Sequence, residues 1–239
     1  MKLLSWLKHL GQRVGEPAPY ASRFGLIVEE SKVADYRYGM LTGIRGEVLQ
    51  PDGQWDASLP GDELQQDNYL DTRACVSFSA LNCLEMLTRR KFGQSVDFSD
   101  RFLAKVSGTT MYGNTLTRVA DTIRKHGLVR EEEWPWARSA AAWFGFNKYY
   151  EAVPDAIKAR GLSFVQRYNV QYEWVSTDEA SLLRALTMAP LQVTITFSNK
   201  EEGPERIIPR VVGAQEHAVT LYGYEHGQYW KIFDHYLNV

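Results

Sequence analysis

Cysteine is scarce in this chain: its 239 residues include two, Cys75 and Cys83. If both lie on one helix, their Cα atoms are about 12 Å apart, against the roughly 4.4–6.8 Å that a disulfide spans. Two free thiols and a reducing, cytoplasmic compartment are therefore expected. No Cys/His cluster with ligand spacing occurs, which argues against zinc. There is no stretch of about 18 apolar residues, so no membrane-spanning helix is expected. A basic surplus is also missing. Lys and Arg number 27 against 29 Asp and Glu, the net charge is -2 and the pI is about 6.2. A duplex nucleic-acid binder normally carries such a surplus, so no nucleic-acid partner is expected. P-loop, GxGxxG, HExxH and GxSxG motifs are all lacking, as are internal repeats and low-complexity tracts.

What is present is an ordinary globular mix, with 44 % apolar and 23 % charged residues. The length suits one large domain or two packed lobes. Leu3, Leu4, Leu7, Leu10 and Val14 share one face at helical spacing and suggest a short amphipathic docking helix, with a membrane-surface anchor as the minor reading. Residues 15–60 are rich in Gly and Pro and read as an extended lead-in with short strands. Within them, Pro51-Asp52-Gly53 is expected to turn a small hairpin. Large aromatics such as Trp6, Tyr20, Phe24 and Trp55 are too many for a solvated linker, so residues 1–60 are expected to pack on the core.

From Asp71 the pattern is helical. Asp71 or Thr72 is expected to cap a helix with apolar positions Val76, Ala80, Leu84 and Leu87. Asp97 or Ser99 opens a short helix. Leu116 to His126 is a third, closed by Gly127. Ala152–Ala159 and Asp178–Leu186 are further helices. The period then shifts to two, giving strands at 192–197, 218–224 and 229–234, the last two joined by residues 225–228. Helices first and strands later argue for an α+β fold.

Two segments carry possible chemistry. Cys75 falls in the first turn of a helix, whose partial positive charge favours thiolate, the competent nucleophile. A buried, inert thiol is the bland alternative, and Cys83, mid-helix among apolar residues, is its internal control. His217 begins a strand. With a turn at 225–228, partner numbers sum to 453, which makes Asp234 a diagonal neighbour of His217 on the same face. A carboxylate there fixes the imidazole tautomer. Strict alternation sends His235 to the opposite face, where it is a poor candidate.

Cys75-Val-Ser-Phe-Ser-Ala resembles the nucleophile segment Cys-Trp-Ala-Phe-Ser-Ala of the papain-like cysteine peptidases. His217-Ala-Val through Gly223-Tyr224 is similar to that family's His-Ala-Val…Gly-Tyr strand, and Tyr229-Trp-Lys-Ile-Phe-Asp234 to the strand ending at its catalytic Asn. The separation 217 − 75 = 142 lies within the roughly 130–150 expected. Leu128 to Trp136 and Leu182 to Val193 also resemble family segments, and the likeness runs in order over about residues 60–239. It implies a papain-like two-lobed fold. A helical N-terminal lobe, about 61–160, would hold the nucleophile helix, and a sheet lobe, about 161–239, would complete a catalytic domain over 61–239.

The resemblance further implies hydrolysis of peptide or protein substrates by Cys75, His217 and Asp234, without metal or cofactor. Gln65 or Gln66 would complete the oxyanion hole, with Asn68 as fallback, because the family's Gln position is Tyr69 here. Gly113 and Asn114 fall where the family binds the substrate backbone. Asp234 stands in place of the family's Asn. The family's disulfides and its Cys-Gly-Ser-Cys-Trp core are missing, which suggests a remote intracellular or virus-encoded relative. Two other readings stay open: a vestigial structural or interaction module, for example in a viral particle, and a thiol amidase or deamidase.

Overall fold

The computed structural model describes residues 25–29, 47–61, 64–65, 70–136, 145–196 and 217–235. The expected helix over residues 3–14, Gln66, Asn68 and Tyr69 lie outside the described residues, as do the aromatics at 6, 20 and 24.

The organising element is helix α1, Cys75–Phe92. Its N-terminal half is buried on every side, from Cys75 through Cys83, and Glu85 and Met86 extend that burial. It therefore runs through the core. Gly93 ends it in the left-handed region, φ 66°, with its N–H on the Arg89 carbonyl, and Arg89, Arg90 and Lys91 offset the helix dipole in the last turn. The expected caps are not used. The helix starts at Cys75 behind Ala74, which offers no side-chain cap. Asp71 instead accepts the Arg73 N–H at 2.9 Å in a local turn in which Arg73 has φ 59°. A short Asp side chain commonly prefers such a turn to a distant helix end.

Helix α2, Asp100–Val106, is capped by Ser99, whose Oγ accepts the Phe102 N–H. Helix α3, Leu116–His126, has the expected bounds, with Thr115 capping its start and Gly127 closing it. Helix α4, Gly145–Tyr149, is short. Helix α5, Asp155–Arg167, differs from the expected Ala152–Ala159 at both ends. Pro154 takes the N-cap position, which excludes Ala152 from the helix. Gly161 does not stop it, because α3 crosses there: a Cβ on Gly161 would lie 2.6 Å from the His126 carbonyl and 2.8 Å from Phe102 Cζ. Helix α6 is Glu179–Leu186, capped by Asp178.

Among the described residues, three strands form one antiparallel sheet in the order β1, Leu191–Ile195, β2, His217–Glu225, and β3, Tyr229–Phe233. The architecture is α+β. The central strand β2 is the most buried and packs on α1. Polar groups stitch that contact. Thr220 Oγ1 donates to the Ser79 carbonyl at 3.1 Å, and Gln192 Nε2 donates to the Val76 carbonyl at 2.7 Å and to Ser79 Oγ at 2.8 Å.

The register corrects the expected turn. Glu225 pairs with Tyr229 across a turn of residues 226–228, one residue away from the 225–228 loop. An irregularity between Leu221 and Gly223 then absorbs one residue. Beyond it Leu221 faces Ile232 and Thr220 faces Phe233, so pairs sum to 453 at the end of the sheet that carries His217. The Pro51-Asp52-Gly53 turn forms, with the Gly53 N–H on the Gln50 carbonyl. Its flanks do not pair as a hairpin. Leu49 and Gln50 donate to the Thr187 carbonyl, and the Trp55 N–H goes to Tyr222. Trp55 is fully buried and donates Nε1–H to the Leu186 carbonyl at 2.7 Å, which fixes this segment to α6 and the sheet.

Glu85 ties α1 to the start of α2 by accepting the Phe98 N–H at 2.8 Å. Burial, with Asp97 and Asp100 adding, pushes its carboxyl up to about 8. A carboxyl raised on folding stabilises fully below its unfolded value, and that contribution fades as pH rises through 8. Urea unfolding should therefore show wild-type stability falling between pH 5 and 8.5, and a flatter dependence for Glu85→Gln. Parallel pH profiles for the two proteins would contradict this.

Candidate active site

Cys75 is the first residue of α1 and is 0 % exposed. Backbone N–H groups of Ala218 and Val76 favour its thiolate. Burial outweighs them and pushes the thiol well above its ordinary range, and the charges of Asp234 and Asp71 push the same way. Burial thus works against the expected helix-activated thiolate in this closed arrangement. A helix end supplies only partial charge, whereas excluding water penalises a full one. Cys83 is also buried and is pushed up to about 12, with its Sγ 3.9 Å from Thr220 Oγ1. Both thiols are free.

His217 opens β2 and is fully buried. Its Nε2 lies 2.8 Å from Asp234 Oδ1, just past the end of β3. A carboxylate only accepts, so in the neutral ring Nε2 carries the proton and Nδ1 the lone pair. Asp234 Oδ1 also accepts the His235 backbone N–H at 2.7 Å.

His235 requires a correction. It does not turn to a remote face: its ring is 5.4 Å from that of His217 and stacks on Phe78 at 5.1 Å. Alternation holds only within a strand, and β3 ends at Phe233. Burial pulls His235 down to about 3, which keeps it neutral.

Gln65 is buried and held from both sides. Its N–H donates to the His235 carbonyl at 2.7 Å, its carbonyl accepts the Thr72 N–H at 3.1 Å, and Nε2 reaches Asp71 Oδ1 at 3.3 Å. The chain thus ties Gln65 to both the Cys75 helix start and the end of β3. Gln66 and Asn68 lie outside the described residues.

Gly113 and Asn114 are already engaged. The Asn114 side chain is structural, donating to the Ser107 carbonyl, Ser107 Oγ and Thr109 Oγ1 at 2.9–3.2 Å. Its backbone pairs in parallel with residues 25–27: Asn114 N–H to the Gly25 carbonyl at 2.9 Å, and Ile27 N–H to the Asn114 carbonyl at 2.7 Å. Gly25 has φ 92°, and a Cβ on it would lie 2.1 Å from the Arg73 carbonyl; one on Gly113 would lie 2.0 Å from the Gly25 carbonyl. Leu26 is buried in the apolar cluster that holds Cys75 and Ala218. Glu29 Oε1 accepts the Thr117 N–H at 2.6 Å, at the electropositive end of α3. Residues 25–29 therefore form an extended strap between the approach to Cys75 and the 113–114 edge. The sequence reading anticipated an extended lead-in but not its seat; Gly25, wedged between two backbones, was the available signal.

No protein-family model matches the chain, and no curated protein matches it. Solved structures do. The Amb a 11 cysteine protease, a major ragweed pollen allergen, in its proform, is 18 % identical with a TM-score of 0.54 over 83 % of this chain and 58 % of that one. The digestive procathepsin L 3 of the Tenebrio molitor larval midgut is 15 % identical with a TM-score of 0.58 over 97 % of this chain and 76 % of its own. The chain thus spans little more than half the length of the pollen protein. At these identities the likeness shows the fold, which is that of the papain-like cysteine proteases.

The strap geometry has a direct consequence for thiol access. In the intact protein, iodoacetamide at pH 7 should label Cys75 and Cys83 slowly and at similar rates. Gly25→Val puts a branched side chain against the Arg73 carbonyl at a positive φ, and should dislodge the strap. Peptide mapping should then show Cys75 labelled at least about 10-fold faster, the effect of lowering its opening free energy by about 1.4 kcal/mol, and Cys83 unchanged. Fast labelling of Cys75 in the wild type, or no change in the variant, would contradict the strap's role.

Proposed function

We propose that this protein is a thiol-dependent peptidase whose site is closed by its own residues 25–29. The observation that carries the reading is the 2.8 Å contact of His217 Nε2 with Asp234 Oδ1, in a papain-like fold that starts its buried central helix at Cys75. In this reading Asp234 holds Nε2–H, leaving Nδ1 to take the proton of the Cys75 thiol. Once the strap leaves, water and substrate replace it. The burial that keeps the thiol neutral is then relieved, and a thiolate–imidazolium pair forms.

The chemistry follows in two steps. The Cys75 thiolate attacks the peptide carbonyl, and a C–S bond forms. The negative charge on the carbonyl oxygen is met by the Cys75 backbone N–H and Gln65 Nε2. The C–N bond breaks as imidazolium protonates the departing amine. Water, deprotonated by His217, then releases the acid and the thiol. The Asn114 backbone, which pairs with the strap, is the edge on which an extended substrate would lie, whereas Gly113 exchanges both its backbone hydrogen bonds with Thr110. Two free thiols suit a reducing compartment. A vestigial site is the competing reading, and its support is the burial of Cys75.

Peptide hydrolysis by the strap-loosened Gly25→Val protein tests this. Activity should rise over wild type and vanish in Gly25→Val/Cys75→Ala. On the same background, Asp234→Ala should lower the rate about 10-fold or more. Asp234→Asn should cost little at neutral pH but end activity at a lower alkaline pH, because a neutral amide stabilises imidazolium less than a carboxylate does. No hydrolysis after strap release would favour the vestigial reading. Wild-type rates in Asp234→Ala would remove Asp234 from the mechanism.

A further inference from the structure

A buried imidazole with neither nitrogen hydrogen-bonded is costly, and structures rarely tolerate one without use for it. His235 is such a group: it is 0 % exposed, and neither Nδ1 nor Nε2 has a hydrogen-bond partner among the described residues. The proposed triad gives it no task. Its placement is nonetheless well determined. The ring stacks on Phe78, its backbone N–H is held by Asp234 and its carbonyl by Gln65. One ring nitrogen of His235, one of His217 and a carboxylate oxygen of Asp234 all lie within 4.8 Å of one another.

Two imidazoles and a carboxylate are a donor set of three-ligand zinc sites, which keep a further position for water. Zinc–ligand bonds of about 2.0–2.2 Å separate donor atoms by roughly 3.4 Å in a tetrahedron, so on an ion the 2.8 Å His217–Asp234 pair would open slightly while the His235 nitrogen closes modestly. Imidazole donors select zinc-class ions over calcium or magnesium, which prefer oxygen. The two histidines are buried, and the Asp234 side chain, 23 % exposed, gives the approach from solvent.

We propose that His217, Asp234 and His235 bind a zinc-class divalent cation, and that the bound ion switches the thiol chemistry off. The second half rests on the peptidase reading; the first does not. A cation beside Asp234 Oδ1 takes His217 through Nε2, the nitrogen that faces it. The proton of the neutral ring then resides on Nδ1. That nitrogen can no longer accept the proton of Cys75, and the imidazole is lost as a base. Nothing is oxidised or reduced, and removing the ion restores the original tautomer. Cys and His spacing carries no sign of this site, because its three donors include a carboxylate and come from the start of one strand and the residues after another.

Co2+ titration of the full chain tests the site. One equivalent should give the visible absorption of a low-coordinate Co2+ centre, displaced by Zn2+. His235→Phe keeps a ring against Phe78 but removes the donor nitrogens, and should weaken binding at least about 10-fold, the scale on which even supporting groups act at metal sites. His235→Gln should weaken it likewise, which guards against a packing defect peculiar to Phe. Cys75→Ala should bind Co2+ as wild type does, so the site stands or falls apart from thiol catalysis. In the strap-loosened Gly25→Val protein, Zn2+ should inhibit hydrolysis, and much less so once His235→Phe is added. Absence of the Co2+ absorption in the wild type, or equal affinity in wild type and both His235 variants, overturns the site. Co2+ binding intact with no hydrolysis in any variant supports the site and rejects the peptidase reading. Equal Zn2+ inhibition with and without His235→Phe overturns the switch.

Discussion

The packing of the N-terminal half of α1 on β2 is the contact on which the rest depends. It sets the first turn of a helix beside the first residues of a strand, so Cys75 meets the Ala218 N–H and lies in the same apolar cluster as Ala218. Apolar burial drives the contact, but its register is polar. Gln192 spans from β1 to Val76 and Ser79, and Thr220 caps the Ser79 carbonyl. A helix shifted by one residue would leave those groups buried without partners, at about 1–3 kcal/mol each. Gln65 completes the arrangement by joining Thr72, before the helix, to His235, after the last strand.

Within that frame two electrostatic effects compete at Cys75. The helix start and two backbone N–H groups favour thiolate, while loss of water and two carboxylates oppose it. Water exclusion wins here, and the strap belongs to the same closed arrangement. Leu26 shares the cluster with Cys75, and Gly25 and Ile27 use up the Asn114 backbone. The closed site is therefore well packed and chemically quiet. Activity in the proposed scheme is a matter of removing a few local contacts, the Glu29 cap on α3 among them, without refolding the core.

Much of the scaffold was legible because local signals and tertiary structure agree. Helix α3 begins behind Thr115 and stops at Gly127 because its cap and its terminal glycine are both strong. The nearness of His217 and Asp234 was legible for a partly wrong reason. The turn is one residue shorter than the sequence period suggests, and the irregularity near Tyr222, which no sequence period announces, restores the register beside His217. What escaped was long-range. His235 lies beyond Phe233, where β3 ends, so strand alternation does not govern its side. The strap escaped because an extended segment with two bonds to a distant loop leaves no periodic trace, and Asn114 could not be known to hold Ser107 and Thr109 with its side chain.

The central claim is that Cys75 becomes a nucleophile when the strap is displaced. Intact-mass analysis of Gly25→Val during turnover of a peptide thioester or activated ester tests it most directly. The account predicts a transient adduct of one acyl group, mapped to Cys75, absent when Cys75→Ala is added and longer-lived when Asp234→Ala is. An adduct on Cys83, or none on either thiol while Cys75 alkylates freely, would contradict it.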